Sequence, residues 1–221
     1  MSRFTLNVQE IVRFYDDDPD ATTHSNAVKT LAGEELGLAL LHHYLEKTER
    51  SPARIHLPCT AEGAWLDGWI KIEHPSPVLF QVEVKSWSMH GYGGKKQRLS
   101  VDASGEPLVA YRKLMWDHYW EAGDFKPKGL KKVLKKMRLP RGETEPIEPI
   151  ACIWTAVHPE GKDCPFFSVQ PKTGDFATTH VFSMSNYLRN LLRSNVGALQ
   201  VELPNVSARV TYLNSLFRLV Q

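Results

Sequence analysis

Three residues have the types and the spacing for hydrolytic chemistry: Asp67, Glu83 and Lys85. The tripeptide Glu83-Val84-Lys85 carries little weight alone, because roughly one acid-x-Lys pattern arises by chance in a chain of this length. Glu160-Gly161-Lys162 and Asp124-Phe125-Lys126 match it loosely as well, but they lie among Gly, Pro and polar residues. Glu83-Val84-Lys85 instead sits in an apolar run from Val78 to Trp87 that reads as a strand. Alternation sets Phe80, Val82 and Val84 on one face and Gln81, Glu83 and Lys85 on the other, so acid and amine point the same way. In the preceding predicted strand, Ala64 to Ile72, one face carries Trp65, Asp67, Trp69 and Lys71. A hairpin symmetric about Pro75 puts Asp67 opposite Glu83 and Trp65 opposite Lys85. Opposed carboxylates with Cβ atoms about 4.5 to 5.5 Å apart repel. A hard divalent cation such as Mg²⁺, held by both acids, a backbone carbonyl and waters, offsets that repulsion. Lys85 then stands where it can help lower the pKa of an attacking water or stabilise charge on a phosphate. The ordinary alternative is a pair of surface acids on the wet face of a hairpin, with Lys85 as their salt-bridge partner.

The elements that must position these residues are legible in part. From Ser25 to Lys47, Val28, Leu31, Leu38, Leu41 and Leu45 recur at helical spacing, with Ser25 or Asn26 as N-cap. Strands are expected at Arg54 to Leu57, Ala64 to Ile72 and Val78 to Trp87, the last two joined by the proline-bearing Glu73-His74-Pro75-Ser76-Pro77. An aromatic-rich helix follows from Pro107 to Glu121, in which Tyr111, Trp116, Tyr119 and Trp120 read as core rather than as base-stacking platforms. A basic helix is expected over 128 to 138, strands at Ile150 to Val157 and Phe166 to Val169, and helices at Ser183 to Arg193 and Val206 to Leu219. Asp16-Asp17-Asp18-Pro19-Asp20 reads as a loop. The order helix, three strands, helix, strand defines a mixed α/β layer architecture, one domain over 1–221 with a core at about 25–157 and an extension at 158–221.

Composition bounds the partners. Hydrophobic residues at 42% and charged residues at 24% exclude disorder and collagen as global descriptions. No stretch approaches the roughly 18 apolar residues of a membrane span, so a soluble, cytoplasmic chain with no membrane partner is expected. Cys59, Cys152 and Cys164 are too few and too widely spaced for a disulfide framework. Net charge is only +2, yet Lys126, Lys128, Lys131, Lys132, Lys135, Lys136, Arg138 and Arg141 follow one another with no intervening acid. Such a field attracts phosphate backbones or acidic partners. If the basic helix forms, Lys131, Lys132, Lys135 and Lys136 share roughly one face. Gly91-Tyr92-Gly93-Gly94-Lys95-Lys96 lacks the Walker spacing, so Lys95 and Lys96 are expected on a nucleic-acid backbone and not around a nucleotide.

Asp67, fifteen intervening residues and then Glu83-Val84-Lys85, with Gly33-Glu34-Glu35 on a preceding helix, resembles the PD-(D/E)xK nuclease superfamily. Leu66 stands where that pattern often has proline, and no Gln-x-x-x-Tyr motif of the exonuclease branch follows the third strand. The resemblance covers about residues 25 to 157. It implies a restriction-endonuclease-like α/β fold, a mixed β-sheet flanked by helices with an αβββαβ core. It also implies Mg²⁺-dependent hydrolysis of DNA phosphodiesters, with Mn²⁺ able to substitute, by an enzyme of endonuclease type. Carried over, Asp67 and Glu83 bind the metal, Lys85 assists catalysis, and Glu35 or Glu34 is the accessory acid. Glu35, in register with Val28, Leu31 and Leu38, has a slight claim as the inward one. Lys131, Lys132, Lys135 and Lys136 are the expected phosphate contacts. The rival is a catalytically silent nucleic-acid-binding or scaffold subunit of a DNA-processing complex. A partner protein or a homodimer is compatible with the surface expected over 183–221.

Overall fold

The computed structural model describes residues 3–17, 32–49, 53–56, 66–74, 76–85 and 98–216. Lys95 and Lys96 lie outside these residues, as do the first turns expected for the helix beginning at Ser25.

In chain order the elements are β1 (Arg3–Asn7), α1 (Val8–Val12), a π-helical turn (Arg13–Asp17), α2 (Glu34–Glu49), β2 (Ala53–His56), β3 (Gly68–Ile72) and β4 (Val78–Lys85). Then come α3 (Gly105–Tyr119), a small hairpin of β5 (Trp120–Glu121) and β6 (Asp124–Phe125), α4 (Lys128–Lys131) with a 3₁₀ turn (Lys132–Leu134), β7 (Ile147–Ile153) and β8 (Phe166–Val169). β9 (Thr179–Ser183), α5 (Met184–Arg193), β10 (Ala198–Glu202) and α6 (Pro204–Leu216) complete the described chain. One six-stranded sheet, ordered β2-β3-β4-β7-β9-β8, organises the molecule. β2, β3 and β4 form an antiparallel meander, β7 and β9 continue parallel to β4, and β8 returns antiparallel at the edge. The run α2, β2, β3, β4, α3, β7 has the order expected from the sequence, in a mixed α/β sheet flanked by helices.

Both sheet faces are covered, so β4 reads VLFQVEVK with hardly a break in its burial. On one face, α1, α2 and α5 pack on Ile70, Ile72, Phe80, Val82, Val84, Ile150 and Phe182. On the other, α3 and the basic segment pack on Ala151, Ile153 and Val181, while Met137 and Leu139 cover Trp69 and Leu79. The face carrying Gln81 and Glu83, which a bare hairpin would leave wet, is therefore buried.

Two glycines let α2 lie close on the β3–β4 pair. A Cβ on Gly37 would meet Val84 Cγ1 at 2.5 Å, and one on Gly68 would meet Leu38 Cδ1 at 2.6 Å. Real Cβ atoms do not approach that closely, so these positions fix the height of α2, and its first turn, above the strands.

The basic segment departs from expectation. It is helical only from Lys128 to Leu134 and then extends. The Gln81 amide donates to the Val133 carbonyl at 2.6 Å and the Lys135 carbonyl at 2.9 Å, taking acceptors that further helical turns would need. The Leu134 carbonyl accepts instead from Asp175 N–H, and the Asp175 carboxylate accepts from Lys136 N–H. Lys131, Lys132, Lys135 and Lys136 thus do not share one helix face, yet all four are exposed, around the buried pair Val133 and Leu134.

The loop expected over Asp16 to Asp20 is described only at its first two residues, which are not loop, and positions 18–20 lie outside the described residues. Asp16 and Asp17 belong to the π-helical turn, and Asp16 is buried. Among the described residues, no helix is long and apolar enough to cross a membrane.

Candidate active site

Gly68 pairs with Val82 and Ile72 with Val78, a register symmetric about position 75 as expected. Asp67 sits one residue before β3. Its N–H donates to the Val82 carbonyl at 3.2 Å, so both Asp67 and Gly68 address Val82, an irregularity of the kind that re-aims a side chain. The Asp67 carboxylate turns back across the pair and accepts from the Val84 N–H at 2.6 Å. This bond fixes the carboxylate beside the Glu83-Val84-Lys85 backbone.

Glu83 is only 1% exposed. Its Oε1 accepts from the Lys85 ammonium at 2.5 Å, and the same ammonium reaches the Val84 carbonyl at 3.2 Å. Among the described residues, Glu83 Oε2 has no hydrogen-bond partner although it is buried. A buried acceptor with no partner is expensive. The ammonium bridging a carboxylate oxygen and a backbone oxygen holds positive charge where the two acids need it.

The electrostatics follow from that enclosure. Burial first, and then the neighbouring Glu83 charge, pushes the Asp67 carboxyl up to about 7, against the pull of the Val84 N–H; Glu34 pushes the same way. Burial also raises Glu83, opposed by its hydrogen bond to Lys85 and by the charges of Lys85 and Lys132, while Glu34 again raises it. Glu34 is thus the α2 acid whose field acts on both carboxylates.

Glu35 points elsewhere. Its two carboxylate oxygens accept from Asn205 N–H and Val206 N–H, both at 2.8 Å, in the first turn of α6. There it satisfies helix N-terminal donors and meets the positive end of the helix dipole. Periodicity pointed to Glu35 as the inward acid; the carboxylate faces a helix start 170 residues on, which local spacing cannot foresee.

The donor set suits a hard divalent cation: two carboxylates, one with an orphaned buried oxygen, beside the Val84 backbone carbonyl. Among the described residues, no three His, Cys, Asp or Glu side chains converge to hold a metal. A cation here would draw on the two acids, backbone oxygen, water and substrate, the pattern Mg²⁺ favours. Lys132, which lowers the Glu83 carboxyl, brings the exposed basic segment within electrostatic reach of the site.

Sequence reasoning missed the buried cluster flanking this centre. Asp16 accepts from Trp154 Nε1 at 3.0 Å, Ser185 Oγ at 2.6 Å and Arg189 at 2.9 Å, and the Trp154 N–H donates to the Lys85 carbonyl at 2.9 Å. An acid run beside a proline carries no local sign of such burial.

No protein-family model, no curated protein and no solved structure matches this chain.

Proposed function

We propose that this chain is a divalent-metal-dependent nuclease of the PD-(D/E)xK kind, hydrolysing phosphodiester bonds in DNA by endonucleolytic cleavage. The observation that carries the reading is half-buried Asp67 beside buried Glu83, with the orphaned Glu83 oxygen and the Lys85 ammonium against it. A restriction-endonuclease-like core agrees with the order α2, β2, β3, β4, α3, β7 and with a fourth strand parallel to the third. Asp67 and Glu83 would hold Mg²⁺ or Mn²⁺. When bound, the cation supplies Lewis acidity and neutralises charge that builds on the phosphate. Lys85, whose ammonium lies against Glu83, would stabilise the same charge as it develops. Glu34 takes the part of accessory acid, strengthening the negative field that draws in the cation. Lys131, Lys132, Lys135 and Lys136 contact phosphates, with Lys95 and Lys96 assigned to the same role. A silent binding or scaffold subunit would account for the exposed lysines but leaves buried Glu83 beside half-buried Asp67 unexplained.

Supercoiled plasmid incubated with the purified protein tests this. Nicking is expected in Mg²⁺ or Mn²⁺, absent in EDTA and lost in Asp67→Asn and Glu83→Gln. Lys85→Met is expected to retain calorimetric Mn²⁺ binding and lose turnover. Wild-type rates in either carboxylate variant would exclude the assignment.

A further inference from the structure

On the same sheet face as Glu83, at the far edge, lies an open cleft of about 520 Å³, within the range of pockets that hold small organic groups. Trp120, Trp116 and Val169 supply its apolar wall, and Ser168, Gln170 and Thr178 its polar rim. None of the lining residues is charged. Trp116 is buried and stacks on Trp120, centroids 5.3 Å apart at 22°, and meets Phe167 edge-on. Trp120 is half-buried. The indole pair thus forms a fixed aromatic wall, with one ring anchored in the core and the other reaching the cleft.

The cleft is joined to the proposed substrate path. Register aligns Glu83, Ala151, Val181 and Phe167 on successive strands, which places Phe167 about 14 Å from Glu83 at the ordinary strand spacing. Between them the loop around 172–175 ties the cleft to the basic segment. Lys172 N–H donates to the carbonyl of Gly123, a lining residue, and Asp175 binds both the Leu134 carbonyl and the Lys136 N–H. Gly123 has φ +95 and a Cβ there would meet Lys172 at 2.8 Å, so the lysine stem packs directly on the cleft's lip.

A neutral, aromatic-walled cleft with hydrogen-bonding groups at its rim rejects phosphate and suits a planar heterocycle. Cations along its approach suit the backbone that carries one. We propose that the Trp120 cleft receives an unstacked nucleobase of the bound strand, making single-stranded or base-extruded nucleic acid the preferred substrate. This rests on the reading of the chain as a nucleic-acid enzyme, but only on its binding half.

The test is made in EDTA, so that catalysis plays no part. Fluorescein-labelled oligothymidylate, and the same oligomer with abasic residues, are titrated into wild type, Trp120→Leu and Trp120→Phe, each checked by circular dichroism and thermal melting. Trp120→Leu is expected to weaken oligothymidylate binding about tenfold or more, the usual cost of losing a base–aromatic stack. Trp120→Phe should remain within about threefold of wild type, and the abasic oligomer should bind all three proteins alike. Equal binding of oligothymidylate by wild type and Trp120→Leu overturns the proposal while leaving the nuclease reading intact. So does equal weakening of the abasic oligomer, which would mark Trp120 as merely structural. Loss of base-dependent binding in Trp120→Leu together with no metal-dependent nicking by wild type would support the cleft and reject the nuclease.

Discussion

A carboxyl group held up to about 7 is a statement about stability as well as chemistry. In the unfolded chain Asp67 loses its proton near pH 4; in the folded, metal-free protein burial and Glu83 keep it until about 7. Between these values the folded state binds more protons, so this contribution to stability is full at about pH 4, falls as pH rises to about 7, and is flat above. Urea denaturation of Asp67→Asn should therefore show a gain over wild type at pH 8 that vanishes near pH 4; a gain independent of pH would reject a proton-holding Asp67. Because cation and proton compete for the same oxygens, Mn²⁺ should bind wild type more tightly at pH 8 than at pH 6. The two acids of α2 separate at this scale too. Glu34→Gln relieves both carboxylates of a like charge and should lower the Asp67 midpoint and slow cleavage. Glu35→Gln should instead cost about 1 kcal/mol through the α6 start and leave cleavage near wild type. Cleavage abolished in Glu35→Gln and kept in Glu34→Gln would reverse these roles. Types and spacing made Asp67, Glu83 and Lys85 legible in the sequence. The choice between Glu34 and Glu35 was not legible, because it depends on α6, which joins α2 only in the folded chain.

Among the elements, the β3–β4 hairpin was readable because one symmetric loop and strict alternation fix its register. The basic segment is less regular than its lysine spacing suggests. Two adjacent buried residues, Val133 and Leu134, and the capture of its carbonyls by Gln81 and Asp175 end the helix after its 3₁₀ turn. β1 and β10 alternate exposed with covered residues, as half-buried strands do, but each is five residues long and meaningful only beside the other. An extended, four-lysine surface still predicts a salt effect. Replacing Lys131, Lys132, Lys135 and Lys136 by Glu should weaken binding to unrelated duplexes and flatten the log–log salt dependence by about 0.9 for each phosphate that is no longer neutralised. An unchanged slope would take the segment out of the nucleic-acid path.

For the molecule as a whole, the decisive long-range contact is Asp16 with Arg189. Both are buried, and Arg189 also donates to the Leu99, Ser100 and Val101 carbonyls, so one guanidinium joins the first described segment, the chain before α3, and α5. Breaking such a pair from one side leaves a buried charge without its counterion. Asp16→Ala should cost about 3–5 kcal/mol in chemical denaturation; a cost under about 1 kcal/mol would show the pair to be peripheral, as expected of exposed ion pairs.

The pairing of β1 with β10, Arg3 facing Glu202, has a consequence for timing during synthesis. β1 leaves the ribosome well before β10, so the earlier strand must wait, its edge bare, while Asp67, Glu83 and Lys85 emerge and pair. Closure of the pair follows the emergence of everything that lies between them, and is made slow by the long loop it must shut. A holdase that covers β1 in that interval would govern yield in the cell without touching a single residue of the candidate active site.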